Sequence, residues 1–228
     1  DNAEWKNYVA FRMYLPARVM LHTGYTVQLR NYWRMDARNY SDHSAFAQAS
    51  KLFSTQTLVR GEVGYGFKHH ADSEGQLVLG LEISQPLAQN TSLNMRYERR
   101  LNTHANVFGE NLLDQDIDML NNRYDYNGQV WSAKLTQQLS NSRKLVIAGG
   151  FDVRSYQTLT TLAWRGEPLF ADELRKDKNP YLSVAFETPL RNRVQARFVY
   201  DFESNKSNDN FFNFNKRNSL SVDLGLTF

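Results

Sequence analysis

The side chains best equipped for chemistry in this chain are its arginines and lysines, because many of them recur in one phase. Lys6, Arg12, Arg30, Arg34, Arg60, Lys68, Arg96, Arg100, Lys134, Lys144, Arg154, Arg193 and Arg197 fall on the polar side of stretches that alternate apolar and polar residues. Glu62, Glu82, Glu98, Asp152, Glu187, Asp201 and Asp223 fall on the same side, so bases outnumber acids there by about two to one. A guanidinium is a planar fork that matches a carboxylate or phosphate. A water-filled space lined with excess positive charge draws anions. The candidate solute-binding residues are therefore Arg12, Arg30, Arg60, Arg96, Arg100, Lys134, Arg154, Arg193 and Arg197. The implied ligand is a small anion, such as an acidic sugar or an organic acid. The plainer alternative is that these charges pair with one another, since isolated charges in a dry interior are too costly.

Other constellations are weaker. His69, His70, Asp72 and Glu74 lie close in sequence, but adjacent residues of a strand point to opposite faces and no structural-zinc spacing is present. That segment reads as a solvated turn, and no metal ligand is assigned. His22 as a base, with Ser132 or Ser183 as a nucleophile, has no supporting triad spacing, and no catalytic residue is assigned. The glycines Gly24, Gly64, Gly66, Gly80, Gly128, Gly149, Gly150 and Gly225 sit inside strand-like stretches. None opens a phosphate-binding loop, so no cofactor is expected.

Composition narrows the classes further. The chain has 228 residues, 13% of them aromatic, a mean hydropathy of −0.60 and a net charge of +3. The absence of Cys excludes disulfides and thiol chemistry. No basic block or nucleic-acid motif appears, so no nucleic-acid partner is expected. No apolar run is long enough for a transmembrane helix. No linker-like segment divides the chain, and residues 1–228 read as one domain. No signal peptide is visible; a chain starting at Asp1 fits a cleaved mature product or a piece of something longer.

The positioning elements come from period two, the signature of strands with one apolar and one polar face. The clearest case is 217–228, where Leu220, Val222, Leu224, Leu226 and Phe228 alternate with Ser219, Ser221, Asp223, Gly225 and Thr227. The same alternation marks strands at 4–15, 19–34, 57–68, 76–84, 93–100, 124–138, 144–156, 181–187 and 193–202. Residues 36–56 differ. Ala45, Phe46, Ala49, Leu52 and Phe53 follow helical spacing after a capping Ser41 or Asp42, which predicts a short helix near 43–54. The breaks at 85–91, 139–143 and 189–192 are short, whereas 102–123, 157–179 and 203–216 are long. The start of the chain breaks that rhythm, because it places the long 36–56 region on the side of the short turns.

In hydrocarbon every backbone polar group must be paired, so such strands would have to close into a barrel with apolar side chains outward. A final amphipathic strand ending in Phe228 resembles the closing strand of Gram-negative outer-membrane β-barrels of the porin-like kind. The resemblance implies an all-β fold: a single antiparallel transmembrane β-barrel of about ten strands, with roughly twelve as the runner-up. It also implies a multi-pass outer-membrane location, contact with outer-membrane lipid and lipopolysaccharide, and recognition by the barrel assembly machinery through the strand ending at Phe228. The preferred functional reading is a channel for passive passage of small anionic solutes. The alternatives are a structural or export-associated barrel that binds a partner, and an embedded hydrolase or acyl-transfer enzyme.

Overall fold

A computed structural model describes residues 2–32, 40–69, 73–104, 126–139, 142–160, 174–191, 194–208 and 213–226. They form eleven strands: β1 (Asn2–Leu15), β2 (Val19–Tyr32), β3 (Tyr40–Leu52), β4 (Leu58–His69), β5 (Ser73–Ala88), β6 (Thr91–His104), β7 (Tyr126–Gln138), β8 (Lys144–Thr160), β9 (Leu174–Arg191), β10 (Val194–Ser207) and β11 (Phe214–Leu226). All belong to one sheet in chain order, and each neighbouring pair is antiparallel. β1 and β2 are joined by a tight turn at Pro16–Arg18, in which Ala17 and Arg18 take left-handed φ values of 61° and 59°. Pro16 suits the entry to this turn, because its fixed φ is the one the first turn position needs.

The sheet is open, which corrects the expectation of a transmembrane β-barrel. Among the described residues β1 pairs only with β2, and β11 only with β10. Alternation dictates which side chains share a face, but closure is a separate condition on tilt, stagger and strand number. The strand number is also different from ten or twelve. With eleven antiparallel strands β1 and β11 run in the same direction, so bringing the two edges together would make a parallel pair in an otherwise antiparallel array.

The expected short helix at 43–54 is β3. Ser41 through Leu52 pair in unbroken register with His69 through Leu58, and Val19 through Arg30 pair with the same strand from its other side. Its even-numbered residues Asp42, Ser44, Phe46, Gln48 and Ser50 face one side, and Ala45, Ala47 and Ala49 are exposed on the other. Small Ala residues gave the apolar face too little weight to show period two. The ladder of two neighbouring strands outweighed local helical preference.

With β3 in place, the connections fall into order. The strand ends Leu15 and Val19, Leu52 and Leu58, Ala88 and Thr91, Gln138 and Lys144, and Arg191 and Val194 lie at one rim; Tyr32 and Tyr40, His69 and Ser73, His104 and Tyr126, Thr160 and Leu174, and Ser207 and Phe214 lie at the other. Burial follows the polar face. Asp42, Lys68, Gln76, Glu98, Asp152, Arg175 and Asp177 are buried, whereas Phe11, Trp131, Leu220 and Leu224 are exposed on the opposite face. That exposed face carries its own cross-strand packing, such as Tyr97 against Trp131 with ring centroids 4.2 Å apart. At Gly150 a Cβ would overlap the carbonyl oxygen of Trp131, so a glycine is needed where β8 lies against β7.

Candidate functional site

β6 places Arg96, Glu98 and Arg100 two residues apart, hence on one face. Arg96 Nη2 donates to Glu98 Oε2 at 2.8 Å, and Arg100 Nε donates to Glu98 Oε1 at 2.5 Å. One carboxylate thus serves two guanidiniums. Burial would push the Glu98 carboxyl up, but Arg100 and Arg96 outweigh it and hold the group below its ordinary value.

The next strand explains how a third cation joins them. Gly128 of β7 stands directly opposite Arg100 of β6 and Arg154 of β8. It has no side chain, and the ring of Tyr126 lies over it: a Cβ at Gly128 would be 2.9 Å from Tyr126 Cε2. The centroid of that ring is 5.8 Å from the Arg100 guanidinium and 5.1 Å from that of Arg154. Arg100 Nη1 also donates to the Tyr126 hydroxyl. Arg154 donates through Nε and Nη2 to Asp152 Oδ2, at 2.8 and 2.6 Å. The carboxylates and the phenolic oxygen hold both Arg100 and Arg154 above the ordinary arginine value, against the opposing effect of burial.

These groups border a cavity of about 850 Å³ on the polar face, reached by residues from β1 through β8. Its basic lining is Lys6, Lys68, Arg96, Arg100 and Arg154; its acidic lining is Asp42, Glu62 and Glu98. Lys68 is buried, with its ammonium 5.0 Å from the Tyr40 ring. Glu62 accepts from Gln48 Nε2 at 3.1 Å and lies 3.9 Å from Arg96 Nη2. The arrangement can hold a small anion: it offers several donors, partial desolvation and a surplus of positive charge.

A second cluster continues the first across Tyr126 and Tyr156, which are directly opposed with ring centroids 5.7 Å apart. Arg175 grips Asp177 through two bonds, Nη2 to Oδ2 at 2.6 Å and Nε to Oδ1 at 3.1 Å, and lies 4.7 Å from the Tyr156 ring. Burial raises the Tyr156 hydroxyl above its ordinary value. Tyr126, Tyr156, Arg175 and Asp177 were absent from the sequence-based candidates. The usable signal was Tyr126-Asn127-Gly128, an aromatic two residues before a strand glycine and so on the same face.

The structure gathers Arg96, Arg100 and Arg154 at the cavity and disperses the other candidates. Arg60 pairs with Glu82 at 3.1 Å, beside the cavity. Arg30 pairs with Glu4 and lies 5.7 Å from the Tyr40 ring. Arg197 is half exposed, between Glu187 at 3.6 Å and Asp223 at 3.7 Å. Arg12 and Lys134 are exposed. Arg193, Arg34, His70, Asp72 and Phe228 lie outside the described residues, as do most of the expected loops at 102–123 and 157–179. His22 stands edge-on to Phe46, with ring centroids 5.0 Å apart, on β2; Ser132 and Ser183 are on β7 and β9, which are not its neighbours. No cluster of three or more potential metal ligands is found among the described residues.

No protein-family model and no curated protein matches the chain. Its fold is similar to that of the siderophore receptor PirA from Pseudomonas aeruginosa, with a TM-score of 0.62 at 10% sequence identity. The likeness covers 100% of this chain and 39% of that one, so this chain spans about two fifths of the receptor's length. The class so defined is an all-β domain whose fold is similar to part of that receptor, its sheet not closed. The porin-like resemblance is corrected accordingly. β11 closes nothing, so the expectations of lipopolysaccharide contact and of assembly-machinery recognition through a barrel-closing strand lose their basis. An unclosed sheet likewise does not support placement as a multi-pass outer-membrane β-barrel.

Proposed function

We propose that this chain serves in solute transport at the outer membrane, and that its polar face binds a small anionic solute. The observation that carries the reading is the cavity, in which five basic side chains meet three acidic ones and two of the bases share Glu98. The fold likeness to a siderophore receptor adds support for a transport setting, and an acidic chelate is one solute of suitable chemistry. Arg96, Arg100 and Arg154 are the residues proposed to contact it, with Lys68 adding long-range attraction.

The test is titration calorimetry with citrate as the probe, over a range of salt concentrations. Citrate binds and weakens with salt, while an uncharged sugar of similar size does not bind. Replacing Arg100 with Gln lowers citrate affinity by about tenfold, the loss of one charge-assisted contact. Equal binding of citrate and the neutral sugar, or none of either, would remove the proposal. The narrower reading, passive passage of anions along this face, predicts anion-selective conductance in planar bilayers. The open side between β1 and β11 gives that reading no enclosing wall.

A further inference from the structure

The edge strand β1 is built in a way that strands with a single neighbour seldom are. Its ladder with β2 is unbroken from Asn2↔Tyr32 to Leu15↔Val19. It holds no proline between these ends, and Trp5, Tyr8, Val9, Phe11 and Met13 are all more than half exposed. Long, regular, apolar edges are normally blunted by bulges, prolines or short length, because their free backbone groups pair with other strands.

Strand direction restricts what can add there. β1 and β11 run the same way, so a second copy placed in the same orientation would set β1 beside β11 as a parallel pair. A two-fold axis perpendicular to the sheet instead sets β1 against β1, antiparallel, with like faces together. A register centred on Tyr8 then opposes Trp5 to Phe11 on the apolar face and Glu4 to Arg12 on the polar face. Both are favourable cross-strand pairs. Arg12 makes no ion pair among the described residues, so the second copy's Glu4 gives it one. Glu4 already accepts from Gln28 and Arg30 through separate oxygens, and a carboxylate can accept more than two bonds. β11 fits the role less well. Its Arg217 and Asp223 are engaged with Glu203 and Arg197, and its ladder shifts between Glu203 and Asn205.

We infer that two copies of this chain associate through β1, in antiparallel register about Tyr8. The inference is independent of the cavity and of its solute. The chain lacks Cys, so Tyr8→Cys places a single thiol beside its own symmetry mate. Mild oxidation, or a short bis-maleimide, then gives a covalent dimer of Tyr8→Cys and none of Leu220→Cys on β11. For the unmodified chain in mild detergent, sedimentation shows concentration-dependent dimers, and Arg12→Glu raises the dissociation constant by about tenfold through two symmetric repulsions. A chain monomeric at all concentrations, cross-linking at Leu220→Cys but not Tyr8→Cys, or an Arg12→Glu variant that dimerises as well as the parent would each overturn the inference.

Discussion

Towards the rim where β6 leads to β7 and β8 leads to β9, Arg100, Arg154 and Arg175 are packed against the rings of Tyr126 and Tyr156, with carboxylates at 2.5–2.6 Å. At the opposite rim, beside the short turns, Arg197 meets Glu187 and Asp223 only at 3.6 and 3.7 Å, and Lys134 and Arg12 are exposed. Both regions obey the same alternation and use the same residue types. They differ in what stands beside the charge. Tyrosines on the first half displace water, so each ion pair must be well formed to offset desolvation. Around Arg197, Lys134 and Arg12, which lack such neighbours, water screens the charges and little depends on their geometry. A charged face therefore need not be uniform in energy or in binding capacity.

The contrast yields ordered effects. The largest belongs to Asp177, whose side chain is 2% exposed beside Arg175 at 6%. Asp177→Ala leaves a buried guanidinium without its carboxylate and costs about 3 kcal/mol, measured as the urea midpoint at constant slope. Replacing both partners with apolar residues of similar volume should recover most of that loss. Gly128→Val ranks next. Its side chain displaces the Tyr126 ring from between Arg100 and Arg154, at about 2 kcal/mol. Tyr126→Phe, which retains the ring, costs less in the same assay.

Glu98→Gln follows, because it deprives two guanidiniums of one shared carboxylate; the loss is about 2 kcal/mol at neutral pH. Its pH dependence has a definite sign. The folded carboxyl titrates below its ordinary value, so its contribution is fully present above the unfolded value of about 4.3. That contribution is lost as the pH falls through the lower folded value. The gap between parent and Glu98→Gln midpoints should hold steady from pH 7 to about pH 5 and then narrow on further acidification. At the exposed rim, Arg197→Gln changes stability by less than about 0.5 kcal/mol, and Lys134→Ala by about nothing. A loss at Arg197 as large as that at Asp177 would break the distinction between the two halves.

Much of this site could be read from the chain, and the unread part has a physical explanation. The pattern Arg96-x-Glu98-x-Arg100 places three charges on one face by strand geometry alone, whatever surrounds it. Arg12 and Lys134 shared the phase of Arg100 and Arg154, but phase does not report which neighbour lies across the ladder. Tyr126 is not legible in the chain alone, because aromatic residues in alternating strands usually read as members of the apolar face. Its role depends on Gly128 leaving room between two arginines from other strands. Likewise β3 was hidden because its exposed face is Ala45, Ala47 and Ala49, residues as much at home in a helix as on a strand.

The sequence by itself determined ten of the strands and their two faces, because side-chain direction in extended backbone repeats every second residue and needs no partner to be defined. Tertiary pairing decided the rest. It made a strand of β3, supplied the neighbours that half-bury Arg154 and bury Arg175, and left β1 and β11 apart. Those outcomes depend on contacts between distant segments and on whether an odd run of antiparallel strands brings its two edges together, and residue alternation carries no information about either.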